Sequence, residues 1–241
     1  MFIANYPAMK IREYLVVSDI HLGITKELWE SGVSLPSQVK KLSDRLNKLK
    51  KSTGAKKLII LGDLKHKVPG ISYQETREVP EFLEALQFNK IIITKGNHDG
   101  DLEKLIPSSV KRKVSIRKSF SVGDYFLTHG HMKAKTNKKI IVIGHNQPNV
   151  RFQDQMKAKY SEPVWVRGPL RKSNTKLIIM PAFNELCGAT VVNRDEFLGP
   201  IAKQLDKTRA HIYLLDGTDL GILENLKLKK EKFYKRRKQP T

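Results

Sequence analysis

An α/β fold of two packed sheets is what this 241-residue sequence predicts, and three observations carry the prediction. Five short apolar runs, at 15–23 (LVVSDIHLG), 58–66 (LIILGDLKH), 91–100 (IIITKGNHDG), 125–131 (YFLTHGH) and 140–148 (IIVIGHNQP), each switch abruptly to Asp, His, Asn or Gln. Such runs, bounded by glycine, read as buried strands whose polar ends gather at one sheet edge. Segments of helical spacing separate the first of these runs, as parallel strands require of their crossovers. Beyond residue 131 that spacing fades and strand-like pieces follow one another, so a second sheet of hairpins and longer returns packs on the first.

In chain order, residues 36–51 put Val39, Leu42, Leu46 and Leu49 on one stripe with lysines opposite, which predicts a helix between the first two strands. Residues 78–88 align Val79, Phe82, Leu83 and Leu86 and predict a second helix before the third strand. After DYFLTHGH come KIIVIGH, PVWVRG, KLIIMPAF, HIYLLDG and DLGILENL, all strand-like, and no internal repeat. One domain over residues 1–225 is expected, followed by a basic, flexible tail over 226–241. From Glu224 onward eight bases, beginning with Lys227, face only Glu224 and Glu231, a net +6 of the chain's +21. That end is either a solvated tail or, with Phe233 and Tyr234 set among its bases, an arm for nucleic acid.

The charge is the informative part of the composition. With 45 Lys+Arg against 24 Asp+Glu, the field attracts polyanions, of which nucleic acid is the commonest inside cells; solvated lysines without a partner are the alternative. No apolar run approaches the roughly 18 residues of a membrane span, and the amino terminus lacks a secretory pattern, so a cytoplasmic chain without membrane contact is expected. Cys187, the single cysteine, has no disulfide partner and is expected to pack in the core.

Six of the seven histidines, His21, His66, His98, His129, His131 and His145, fall in the strand-end loops; His211 stands elsewhere. Divalent metals take carboxylate oxygen, imidazole nitrogen and amide oxygen converging from rigid elements. Asp19 and His21, two apart, can hold one ion; Asp63 can bridge two; Asn97, His129 and His145 supply further donors. Two ions sharing a carboxylate, about 3.5 to 4 Å apart, clamp the attacking and leaving oxygens of a phosphoryl displacement.

In order, D-x-H, G-D, G-N-H-D, H and G-H over about residues 15–148 resemble the calcineurin-like metallophosphoesterases. GDLKH, KGNHDG and MPAFNELCGATVVN are similar to the archaeal SbcD-related phosphoesterases, a group close to the bacterial phosphoesterases associated with DNA ligase. The resemblance implies a four-layer α/β/β/α sandwich of two mixed β-sheets. It also implies two divalent ions, Mn2+ first, with Fe, Co, Ni, Zn or Mg as alternatives. By motif, Asp19, His21 and Asp63 bind the first ion, and Asp63, Asn97, His129 and His145 the second, with a metal-activated hydroxide attacking phosphorus. His98 matches the catalytic histidine, and Asp99 is a candidate to orient it. Lys65 and His66 could meet a substrate phosphate, His131 either supports a ligand or binds substrate, and Asn184 either lines the pocket or caps a turn.

One position departs from the family pattern. Where G-H-x-H is expected the chain reads Gly144, His145, Asn146, Gln147, placing an amide where a second imidazole would hold the first ion. The resulting expectation is a phosphodiesterase acting on nucleic acid or a nucleotide-like diester, with nucleic acid and DNA-repair proteins as partners. The alternatives are a phosphomonoesterase or cyclic-nucleotide hydrolase of the same fold, or a catalytically weak nucleic-acid-binding module.

Overall fold

The computed structural model describes residues 1–227. The first sheet runs β1(Met9–Ile11), β2(Tyr14–Val17), β3(Lys57–Ile60), β4(Lys90–Thr94), β5(Val114–Arg117) in spatial order. β1 is antiparallel to β2, and the remaining neighbours are parallel. Three helices make its crossovers: α1(Ile24–Glu30), α2(Val39–Thr53) and α3(Tyr73–Ala85). The second sheet contains β6(Phe120–Val122), β7(Tyr125–Leu127), β8(Ile140–Ile143), β9(Pro148–Gln153), β10(Lys159–Pro169), β11(Lys176–Ile179), β12(Thr190–Val191), β13(His211–Leu214) and β14(Asp219–Ile222). Its path is β12-β9-β10-β11-β8-β7-β6, with β13 and β14 joined at β10; β8 is parallel to both β7 and β11.

The apolar runs are continuous because each strand is buried on two faces. In β3, Leu58 and Ile60 pack under α2 and α3 with Leu42, Leu46 and Phe82, while Ile59 points to the other face with Met9, Val16 and Ile92. There it meets Leu127, Val142, Trp165 and Ile178 of the second sheet, which closes the sheet-on-sheet layer. The outer face of the second sheet is covered by Val192, Phe197, Ile201, Ala202 and Leu205, the last four around a short 3-10 turn.

The two expected helices form with shifted ends. α3 begins five residues before the apolar stripe because Ser72 and Glu75 form a capping box that satisfies its free N–H groups. α2 ends at Gly54 in the left-handed region, φ 66°. The brief strands β1, β5, β6, β9 and β12 and the seven-residue α1 carry too little periodicity to be read in advance. Among the described residues no helix is long and apolar enough to cross a membrane. The expected basic tail, apart from its first two residues, lies outside the described residues.

Candidate metal centre

β2, β3 and β4 of the first sheet and β7 and β8 of the second end at one place, and the loops leaving them carry Asp19 and His21, Asp63, Asn97 and His98, His129 and His131, and His145 and Gln147. The backbone there is strained. Of nine non-glycine residues with positive φ among the described residues, five are Asp19, His21, Asp63, His145 and Gln147. Left-handed conformations cost energy for such residues and concentrate where function needs them. The centre is also closely packed, since a Cβ on Gly62 would lie 2.4 Å from His129 Nδ1 and one on Gly144 1.7 Å from Ser18 Oγ.

Donor atoms of Asp19, His21 and Asp63 lie within 4.8 Å of one another, as do those of Asp63, His129 and His145, so Asp63 belongs to both groups. His21 Nε2 faces Asp63 Oδ2 at 3.6 Å and Asp19 Oδ1 at 3.9 Å, too long for hydrogen bonds and suited to a shared cation. His129 Nε2 lies 3.2 Å from Asp63 Oδ2 and 3.0 Å from Asn97 Oδ1, while its Nδ1 donates to Leu61 O at 2.8 Å, which leaves Nε2 for the centre. Asp19, Asp63 and His129 are essentially inaccessible to solvent. This donor set fits a dinuclear centre bridged by Asp63.

The electrostatics agree. Burial raises Asp19 to about 6, with His129 opposing and Asp63 adding to the rise. Burial lowers His21 to about 3 and, with the His129 charge, His145 to about 4, so both rings are neutral and ready to ligate. Burial also disfavours a charged His129, but its hydrogen bond to Asp63 and the charges of Asp63 and Asp19 win and raise it to about 9. Asp63 is correspondingly held far below the usual carboxylate range despite its burial.

A cation at the second group therefore displaces a proton from His129. Metal affinity there is expected to rise about tenfold per pH unit below pH 9 and to level off above it. In the metal-free chain the same raised pKa adds stability that is complete below 6.5 and lost as pH rises through about 9. Calorimetric titration in buffers of different ionisation enthalpy measures the released proton, and an affinity flat from pH 6.5 to 9 would refute the pairing.

Gln147 faces the first group, with Nε2 3.3 Å from Asp19 Oδ1 and 3.0 Å from His21 Nε2. The amide thus stands where an imidazole was expected. Gln147→His should tighten the first ion by about 10 to 100-fold and shift preference towards zinc or cobalt. Metal titration of both proteins checks it; identical stoichiometry and affinity would mean that residue 147 does not reach that ion.

Several expected roles change. Asp99 does not orient His98: its fully buried carboxylate accepts from the backbone N–H of Asp63, Leu64, Lys65 and Gly96, clamping two site loops together. His98 is held by its Nδ1 donating to His66 O and by its N–H on Asp63 Oδ1 at 2.9 Å. Lys65 cannot meet substrate, because its side chain is buried with Nζ on the carbonyls of Lys67 and Gly70. His66 Nε2 donates to Glu27 Oε2 at 2.6 Å, while its Nδ1 lies 3.1 Å from His21 Nδ1, and the ring nitrogens of His21, His66 and His98 form a third group within 4.8 Å of one another.

Asn184 caps a turn, accepting from Leu186 N and donating to Ile20 O at 2.8 Å, and is buried behind the Asp19 loop. His131 stays beside the centre, its ring centroid 5.2 Å from that of His129. Cys187 is half-buried rather than in the core, its Sγ 3.6 Å from Asp19 O, and burial pushes its thiol pKa well up. Glu75, Ser18 and Glu27 were missed. Of these, Glu75 was legible, since Ser-x-x-Glu is the capping-box pattern; its carboxylate also accepts from His66 N and Lys67 N.

The fold has counterparts among solved structures. The nuclease MPE of Pseudomonas putida superposes with a TM-score of 0.52 at 20% identity, over 85% of this chain and 84% of that one. YfcE, a phosphoesterase from E. coli, aligns with a TM-score of 0.39 at 17% identity, over 86% of this chain and 96% of that one. No curated protein matches the chain. The calcineurin-like phosphoesterase family matches residues 13–180, a span that takes in every strand-end loop converging on Asp63, and the chain belongs to that family.

Proposed function

We propose that the protein is a cytoplasmic, manganese-dependent phosphodiesterase of the SbcD-related kind, acting on nucleic acid or a nucleotide-like diester. The observation that carries the reading is Asp63, placed between two groups of imidazoles and buried oxygen donors. Asp19, His21 and Asp63 would hold one ion, joined by Gln147 with its amide turned to present Oε1, and Asp63, Asn97, His129 and His145 the other. Bound ions supply positive charge against the phosphate oxygens and a lowered pKa for water. The chain itself fixes His98: with Nδ1 donating to His66 O, Nε2 is left to take up a second proton and, as imidazolium, pass it to a leaving oxygen.

The nucleic-acid part rests on the +21 charge. One structure of similar fold is a nuclease, but at 20% identity that likeness concerns the fold. The test is hydrolysis of single- and double-stranded DNA, RNA, bis-p-nitrophenyl phosphate and p-nitrophenyl phosphate by the manganese-loaded and the chelated protein. Diester cleavage that disappears on chelation is expected. Turnover of the monoester alone would overturn the diesterase reading, and no turnover with any divalent metal would overturn catalysis.

A further inference from the structure

Beside the centre opens a cavity of about 540 Å³, and Asn97 and His131 form part of its wall. Asn97 is also 3.0 Å from His129, so whatever occupies the cavity abuts the second group of metal donors. The lining is one-sided in charge: it includes Lys95, Lys118, Lys133 and Lys135 and no carboxylate. Lys95 is engaged by Glu103 at 2.9 Å, whereas the ammonium groups of the other three make no ion pair among the described residues. Between these cations lie apolar groups of Phe126, Met132 and Ala134. Met132 is 63% exposed, which leaves its side chain open to a ligand in the cavity, and His131 Nδ1 is buried without a hydrogen-bond partner.

Cations around apolar surface suit a ligand that is anionic on one side and flat and apolar on the other. A nucleotide is such a ligand, with phosphates for the lysines, a base for Met132 and Phe126, and acceptors for His131. The volume lies within the usual 300 to 1,000 Å³ of small-molecule sites, so it admits a nucleotide and not a paired, stacked duplex. We propose that this cavity is a subsite for one unpaired nucleotide next to the scissile phosphate, which makes single-stranded nucleic acid the substrate class. The inference rests on the diesterase reading above and adds to it a strand preference and the residues that set it.

Binding is measured without metal, by fluorescence anisotropy of a fluorescein-labelled oligothymidylate and of a blunt hairpin duplex, with the full chain in chelating buffer over a range of salt. The single strand should bind at least about tenfold more tightly than the duplex. Lys118→Ala/Lys133→Ala/Lys135→Ala should lower the slope of log affinity against log salt for the single strand by about 2. Lys48→Ala/Lys51→Ala/Lys56→Ala, which removes the same charge from α2 and the turn before β3, should change it by less than about 0.5. Met132→Ala should weaken single-strand binding about fivefold with an unchanged slope.

Equal losses in the two lysine variants, or a duplex bound as tightly as the single strand, would overturn the subsite. A protein that binds as expected but hydrolyses no diester when loaded with metal would instead sink the diesterase reading, and with it the substrate class, and leave the cavity as a binding site for an unpaired nucleotide.

Discussion

Asp63→Asn is expected to remove detectable turnover and to lower metal content from two ions per chain to at most one. The substitution preserves shape: an amide oxygen can still accept from His98 N, which lies 2.9 Å from Asp63 Oδ1, so the loop keeps its place. What it removes is the charge that both donor groups share. His21 Nε2, at 3.6 Å, and His129 Nε2, at 3.2 Å, each look onto Asp63 Oδ2, and no other carboxylate belongs to both groups. The metal-free protein should register the change too. Without its partner, the His129 pKa falls from about 9, and the stability that its bound proton contributes at pH 7 falls with it. Elemental analysis of the purified variant and its urea midpoint against pH measure the two effects. Retention of both ions with near-normal turnover would eliminate Asp63 as the bridge.

Gly144→Ala is expected to cost about 1 to 3 kcal/mol and to weaken the first ion by about 10 to 100-fold, from a single added methyl group. That carbon would lie 1.7 Å from Ser18 Oγ and 2.6 Å from Asp19 Oδ2. Neither neighbour can retreat easily. Ser18 is buried and its hydroxyl donates to Asp19, while Asp19 also accepts the backbone N–H of His145. Gly144 itself is pinned by its N–H on His129 O at 3.1 Å. The methyl must therefore push Asp19 out of its ligating position. Gly188→Ala is the control, since nothing lies within 4 Å of a Cβ there, and it should change stability by less than about 0.5 kcal/mol. Thermal melts with and without metal compare the pair; a Gly144→Ala protein with wild-type metal affinity would show that the Asp19 loop yields.

The sequence shows the parts of the fold that are buried on two faces. Val16 and Val17, Ile59 and Ile60, and Ile92 and Ile93 are core residues of parallel strands, so their apolar runs are unbroken and end sharply at the ligands. Edge strands such as β6, where Ser121 is exposed between Phe120 and Val122, have no such run to show. The donors of the centre were legible because each of the five apolar runs ends on one. The supporting contacts were not, because they depend on what crosses the loop in space. Asp99 follows His98 in the chain, yet its carboxylate turns to the backbone of residues 63–65, and Lys65 follows a ligand by two positions but points inward. Spacing tells which residues share a loop and not which way each side chain leaves it.

The Asp19 loop is closed from far along the chain: Phe183 N donates to Ser18 O at 2.8 Å, and Asn184 holds Ile20 O across 164 residues. During synthesis the first ligands thus leave the ribosome well before the segment that fixes them. At about 5 to 20 residues per second the interval is roughly 8 to 30 s. Through it the nascent loop carries Asp19 and His21 without the contacts that close it, so the pair reaches its final geometry only once residue 184 has emerged.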